Sequence, residues 1–108
     1  MKADKRNRLE RAGWKVGSTQ EFLGLSEAEA AVIEMRISLA RELKRQRLQH
    51  NYSQARVAKI VGSSQSRVAR MEAGDPSVSL DLLVRALLTC GSTASRVGRV
   101  IARTASSA

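Results

Sequence analysis

The chain has 108 residues, enough for one domain with appended segments and one modest core. Hydrophobic residues make up 43% but aromatics only 3%, so the core must be aliphatic, a composition suited to helices packed on helices. The net charge of +9 favours a polyanionic partner, while one cysteine and one histidine exclude an intrachain disulfide and most metal sites.

Residues 1–17 are basic and contain glycine, and they read as an arm carrying Lys2, Lys5, Arg6 and Arg8. The opening "MKADKRNRLERAGW" lacks the apolar centre of a signal peptide. No stretch approaches the ~20 apolar residues of a membrane span, so the expectation is a soluble cytoplasmic protein. "STQEFLGL" follows, with Phe22, Leu23 and Leu25 able to dock on a core. "SEAE" at 26–29 is a capping box in which Ser26 can accept from the amide of Glu29.

A long helix is predicted from there to about Gln49. Val32, Met35 or Arg36, Leu39 and Leu43 keep one face, widened by Ile33, Ile37 and Ala40. Asn51 is the candidate left-handed residue that stops it, and His50 reads as a helix-terminal partner rather than a base. Ser53 can cap a second, short helix, "QARVAKIV", whose Val57, Ala58 and Val61 face inward until Gly62 ends it. Ser63 or Ser64 then caps a third helix in "SSQSRVARMEAG", closed by Gly74.

"DPSVS" is a turn. Ser79 begins a fourth helix, "LDLLVRALLTC", ended by Gly91, with Leu80, Leu83, Val84, Leu87 and Leu88 on a broad buried face. Cys90 reads as a small buried apolar residue. "RVGRVIAR" offers a last helical turn or two, and the closing "TASSA" reads as disordered. The expected division is an arm and extension over 1–25, a domain over 26–91 and a C-terminal segment over 92–108.

Charge is unevenly placed along these elements. Residues 17–35 hold Glu21, Glu27, Glu29 and Glu34 and no Lys or Arg. Residues 36–70 hold nine Lys and Arg against Glu42 alone, nine minus one, or +8. A lone charge run is usually a solvated face; this one coincides with the two short helices.

Those two helices, joined by a turn containing Gly62, have the form of a helix-turn-helix. Ala58 is small enough for one helix to cross closely over the other, and Val57, Val68 and Met71 supply the apolar contact between them. Gln65, Ser66, Ala69 and Arg70 are then left pointing outward, on a helix that suits a major groove.

From "LARELKRQRLQHNYSQARVAKIVGSSQSRVARMEAG" through "VSLDLLVRALLTCG", roughly residues 39–90, the chain resembles the Xre/Cro-type helix-turn-helix family. The resemblance implies an all-α fold: a compact bundle of about five helices, lambda-repressor-like, that binds double-stranded DNA. By position it implies that Gln65, Ser66 and Arg70 read bases and that Gln54, Ser64 and Arg67 contact phosphates. It also implies a largely buried, structural ion pair between Arg47 and Glu72. Two departures stand out. Asn51 replaces a glycine, which changes little because Asn tolerates the left-handed region. Acidic Asp75 lies where basic phosphate-gripping residues would help, which weakens contacts from that loop.

The function expected on this basis is a sequence-specific transcriptional regulator, a repressor working as a homodimer. One module reads few bases, so a two-fold dimer would place half-sites about one helical turn, ~34–36 Å, apart. Its contact would come from the fourth helix or from Val97, Val100 and Ile101; alternatively those three complete the monomer core. The basic arm either tracks the DNA backbone or minor groove or is simply disordered.

Upstream, "WKVGSTQEFLGLSEAEA" is similar to a segment found ahead of this domain in a subset of these regulators, many of them antitoxins encoded beside a small ribonuclease toxin. That similarity implies a cognate toxin as partner and a binding role for Trp14, Phe22 and Leu23; the same residues can equally pack on the long helix. Charge-driven nonspecific binding ranks low, because Trp14, Phe22 and Tyr52 lie outside the third helix and form no stacking platform. An enzyme is not expected: no nucleophile–base or carboxylate pair can be assembled, and neither cofactor nor metal is called for.

Overall fold

The computed structural model describes residues 26–106 as five α-helices: α1 (Glu27–Gln49), α2 (Gln54–Val61), α3 (Gln65–Glu72), α4 (Leu80–Thr89) and α5 (Ala94–Ser106). Each begins on a hydroxyl residue. Ser26 Oγ accepts from the Glu29 amide at 3.1 Å, Ser53 from Arg56 at 3.0 Å, Ser64 from Arg67 at 3.2 Å and Ser79 from Leu82 at 3.1 Å. Thr93 Oγ1 does the same for Arg96 at 3.1 Å. Each bond satisfies one amide that has no partner in the first turn and contributes about 1 kcal/mol.

The stops are equally local. After α1 the backbone turns left-handed at Asn51, φ 57°, and the Tyr52 amide returns to the Arg47 carbonyl at 3.0 Å. α2 ends on Gly62 at φ 69°, and the Ser63 amide bonds back to Ala58 at 2.8 Å. A Cβ at Gly62 would meet nothing within 4 Å, so the backbone angle alone demands glycine there.

The apolar stripes of these helices meet in two groups. Leu39 and Leu43 of α1, Met71 of α3, Val78, Leu83, Ala86 and Leu87 on and before α4, and Val97 and Val100 of α5 form the larger core. Val57 and Ala58 of α2 with Val68 of α3 form a smaller one. Val61 and Cys90, half-buried, pack against both.

Two expectations need correction. The C-terminal segment is more than a helical turn or two: α5 runs for 13 residues through Ser106. Of the two readings offered for Val97 and Val100, the structure bears out the second: they are only 5% and 4% exposed and complete the monomer core. Gly98, which costs about 1 kcal/mol in a helix, made the segment look weaker than its packing makes it. Val32 and Ile37, assigned to the inward face of α1, are each 38% exposed, and Leu88 of α4 is 43% exposed. Both helices carry wider apolar stripes than their neighbours cover.

Polar ties lock α1 to its neighbours. Arg36 Nε donates to the Val78 carbonyl at 3.0 Å, fixing the turn before α4. Glu42, buried on α1, accepts from Arg45 Nε at 3.0 Å and Nη2 at 2.7 Å. From α5 it also accepts from Arg96 Nε at 3.1 Å and Nη2 at 3.2 Å. The paired Arg45 guanidinium, against the opposing pull of burial and with help from Arg96, holds the Glu42 carboxyl at about 2.

Candidate nucleic-acid interface

Ser64 starts α3, and Val68 and Met71, three residues apart, are both fully buried. At 3.6 residues per turn, that spacing commits one side of the helix to the core and turns Ser66 and Arg70, four apart, to the opposite side. Gln65, Ser66, Arg67 and Arg70 are all exposed, and Ala69 is half-buried. Ser64 Oγ lies 3.3 Å from Ser66 Oγ, so the cap and the first outward hydroxyl are within bonding reach. The structure therefore brings four of the six residues assigned to DNA onto the open side of one helix, with Ser64 at its start.

The far end of α3 is held from behind. Arg47 Nε donates to Glu72 Oε2 at 2.6 Å and Nη2 to Oε1 at 3.0 Å, with side chains only 13% and 4% exposed. The remaining nitrogen, Nη1, donates to the Tyr52 carbonyl at 3.0 Å. Glu72 in turn raises the pKa of the Arg47 guanidinium. One arginine thus ties together the end of α1, the loop into α2 and the end of α3.

Gln54 sits differently from its five companions. It is half-buried, and its Nε2 donates to Glu72 Oε1 at 3.3 Å. One of the two hydrogens on its side-chain amide is therefore committed to the Arg47–Glu72 network. The spacing of the sequence did not signal this, because the partner lies 18 residues away.

One neighbour, Arg56, was not singled out from the sequence. Arg56, exposed in the first turn of α2, stands over the Tyr52 ring at 5.7 Å, and Tyr52 stacks on His50 at 5.3 Å. His50 Nδ1 lies 2.8 Å from the Gln46 carbonyl at the end of α1. Asp75 builds the turn after α3: its Oδ1 accepts from the Ser77 amide at 2.8 Å. That bond, with a lesser contribution from the charge of Arg70, holds the Asp75 carboxyl below the usual range. Trp14, Phe22, Leu23 and the basic arm lie outside the described residues.

A family model described as helix-turn-helix matches residues 43–96, half of the chain. The chain belongs to the helix-turn-helix family, of the Xre and lambda-repressor-like kind. No curated protein and no solved structure matches it. The matched span of this helix-turn-helix protein opens at Leu43, inside the larger core, and closes at Arg96, where α5 reaches Glu42. Membership makes it a DNA-binding regulator. Among the described residues, none of the helix-turn-helix protein's helices is long and apolar enough to cross a membrane, and no cluster of His, Cys, Asp and Glu could hold a metal ion.

Proposed function

We propose that this regulator is a sequence-specific repressor that lays α3 in the major groove and binds as a two-fold dimer. The observation that carries the reading is the two-sidedness of α3: Val68 and Met71 are fully buried, while Gln65, Ser66 and Arg70 stand exposed. In this reading Arg70 and Gln65 hydrogen-bond base edges, where a bidentate contact is worth ~1–3 kcal/mol of discrimination, and Ser66 adds a third contact. Arg67 and Ser64 meet phosphates, and Gln54 does so from the first turn of α2, where helix-terminal amides favour an anion. Leu88, exposed on α4, is the apolar group from which a two-fold contact would be built.

The test is a titration of the full chain against duplexes covering its own upstream region and against scrambled duplexes of equal length. The reading expects a footprint with two half-sites one helical turn apart, and lowered expression of a reporter behind that site. Equal affinity for scrambled DNA would overturn it.

A further inference from the structure

In the first turn of α2, exposed Arg56 lies over the Tyr52 ring, its guanidinium carbon 5.7 Å from the ring centre. That ring is itself firmly seated. It stacks on His50 with centres 5.3 Å apart, and it packs against Val57, Ala58 and Val68. His50 Nδ1 lies 2.8 Å from the Gln46 carbonyl, and the Tyr52 carbonyl accepts from Arg47 Nη1 at 3.0 Å. Among the described residues, the Arg56 guanidinium makes no hydrogen bond or ion pair. Glu72, the acid that Gln54 reaches from the same turn of α2, is already held by Arg47.

We propose that Arg56 grips a backbone phosphate of duplex DNA beside the end of α3, and that Tyr52 is the positioning residue that aims it. The contact rests on the DNA reading of α3 and adds a group that fixes its register. A ring against the flat side of a guanidinium engages its face and leaves the in-plane N–H donors open. A phosphate can then accept two parallel bonds while the stack persists. The ring also restricts a long side chain before DNA arrives, so less freedom is lost on binding.

The placement along α3 gives the contact its use. Gln54, two residues before Arg56, reaches Glu72 at 3.3 Å, so the first turn of α2 abuts the last turn of α3. Ser64 and Arg67 stand at the other end of α3. Eight residues at 1.5 Å per residue separate the two ends by about 12 Å. Phosphate contacts set the orientation of a protein on the duplex, and two points so far apart constrain a short helix that one point would let swivel. The stack is built on the end of α1 through His50 and on Arg47 through the Tyr52 carbonyl. Arg56 is therefore referenced to the same arginine that holds α3.

The test titrates the full chain, at several salt concentrations, against a duplex from its own upstream region and a scrambled duplex of equal length. Arg56→Gln should weaken binding to both duplexes by about tenfold and lower the slope of log affinity against log salt by about 0.9. Arg99→Gln removes the same charge from an exposed position on α5, which packs against α1 and α4, and should change affinity less than about twofold. Tyr52→Leu keeps an apolar group on Val57, Ala58 and Val68 but removes the ring, with Tyr52→Met in its place if the first variant unfolds. Without the ring binding should weaken about threefold, and adding Arg56→Gln should then cost about threefold instead of tenfold. Tyr52→Phe keeps the ring and should bind as the unaltered chain does. An unchanged slope in Arg56→Gln, or an equal drop in Arg99→Gln, would overturn the contact. Independent losses at Tyr52 and Arg56 would overturn the positioning role of the ring. Equal affinity of the unaltered chain for both duplexes would remove the repressor reading and leave this contact standing, whereas no binding to either would remove both.

Discussion

Arg47 and Glu72, 25 residues apart in the chain, meet through two hydrogen bonds of 2.6 and 3.0 Å at the ends of α1 and α3. The carboxylate is 4% exposed, and its Oε1 also accepts from Gln54. The pair therefore sets where α3 lies against α1, and through Gln54 and the Tyr52 carbonyl it also anchors the start of α2. Arg47→Met keeps much of the side-chain volume but strands the Glu72 charge and the Tyr52 carbonyl. The expected loss is about 3–5 kcal/mol in urea unfolding, as for other buried pairs that lose one partner. A loss below about 1 kcal/mol would show that the pair is not what fixes α3.

Arg70 and Arg67 are separated by one helical step of three residues, yet they should fail in different ways. Arg70→Ala is expected to cost ~1–3 kcal/mol on the preferred duplex and to relax the preference at one base position. Arg67→Ala should weaken all duplexes alike and lower the slope of log affinity against log salt by about 0.9. Competition titrations at several salt concentrations separate the two. Identical behaviour of the variants would mean that the assignment of base and phosphate roles along α3 is wrong.

Asp75 is a turn-former placed close to Arg70. Asp75→Asn keeps the oxygen that accepts from the Ser77 amide and removes only the charge. Affinity for DNA should rise severalfold, with thermal stability little changed, because a negative charge beside the phosphates is lost. Unchanged affinity would place this turn away from the DNA backbone.

Glu42 makes stability depend on acid. Its carboxyl titrates at about 2 in the folded chain, against about 4.3 when free. A depressed folded value means that the contribution is complete above the unfolded value and disappears as pH falls toward the folded one. The melting temperature should therefore drop between about pH 5 and pH 2, and Glu42→Gln should be less stable at neutral pH with a flatter acid limb. A variant whose acid limb is as steep as the parent's would assign the effect to other carboxylates.

Much of the fold was legible because its signals are local. A serine before an apolar-periodic run has one dominant use, and Ser26, Ser53, Ser64 and Ser79 each cap a helix. The spacing of Val68 and Met71 likewise determines which side of α3 is left open. Contacts across the fold had no such local signal, and the Arg47–Glu72 pair was expected only from the family resemblance. Glu42 and Arg96 lie 54 residues apart, and nothing in either neighbourhood announces the clamp between them. Gln54, assigned to a phosphate by the resemblance, gives no local sign that α3 brings Glu72 beside it. Apolar periodicity gives the direction of a face but not the reach of its partners, which is why Val32, Ile37 and Leu88 are more exposed than their spacing suggests. In α5, three arginines and a glycine dilute the signal from Val97, Val100 and Thr104.

Among the described residues, the smaller apolar group formed by Val57, Ala58 and Val68 touches the larger one through its half-buried neighbours Val61 and Cys90. Its few members have little to lose by parting, so amides of α2 should exchange with deuterium faster than those in the middle of α1 or α4. The Arg47–Glu72 pair meanwhile holds α3 in place, so the outer side of α3 can accept new residues without disturbing the scaffold that carries it.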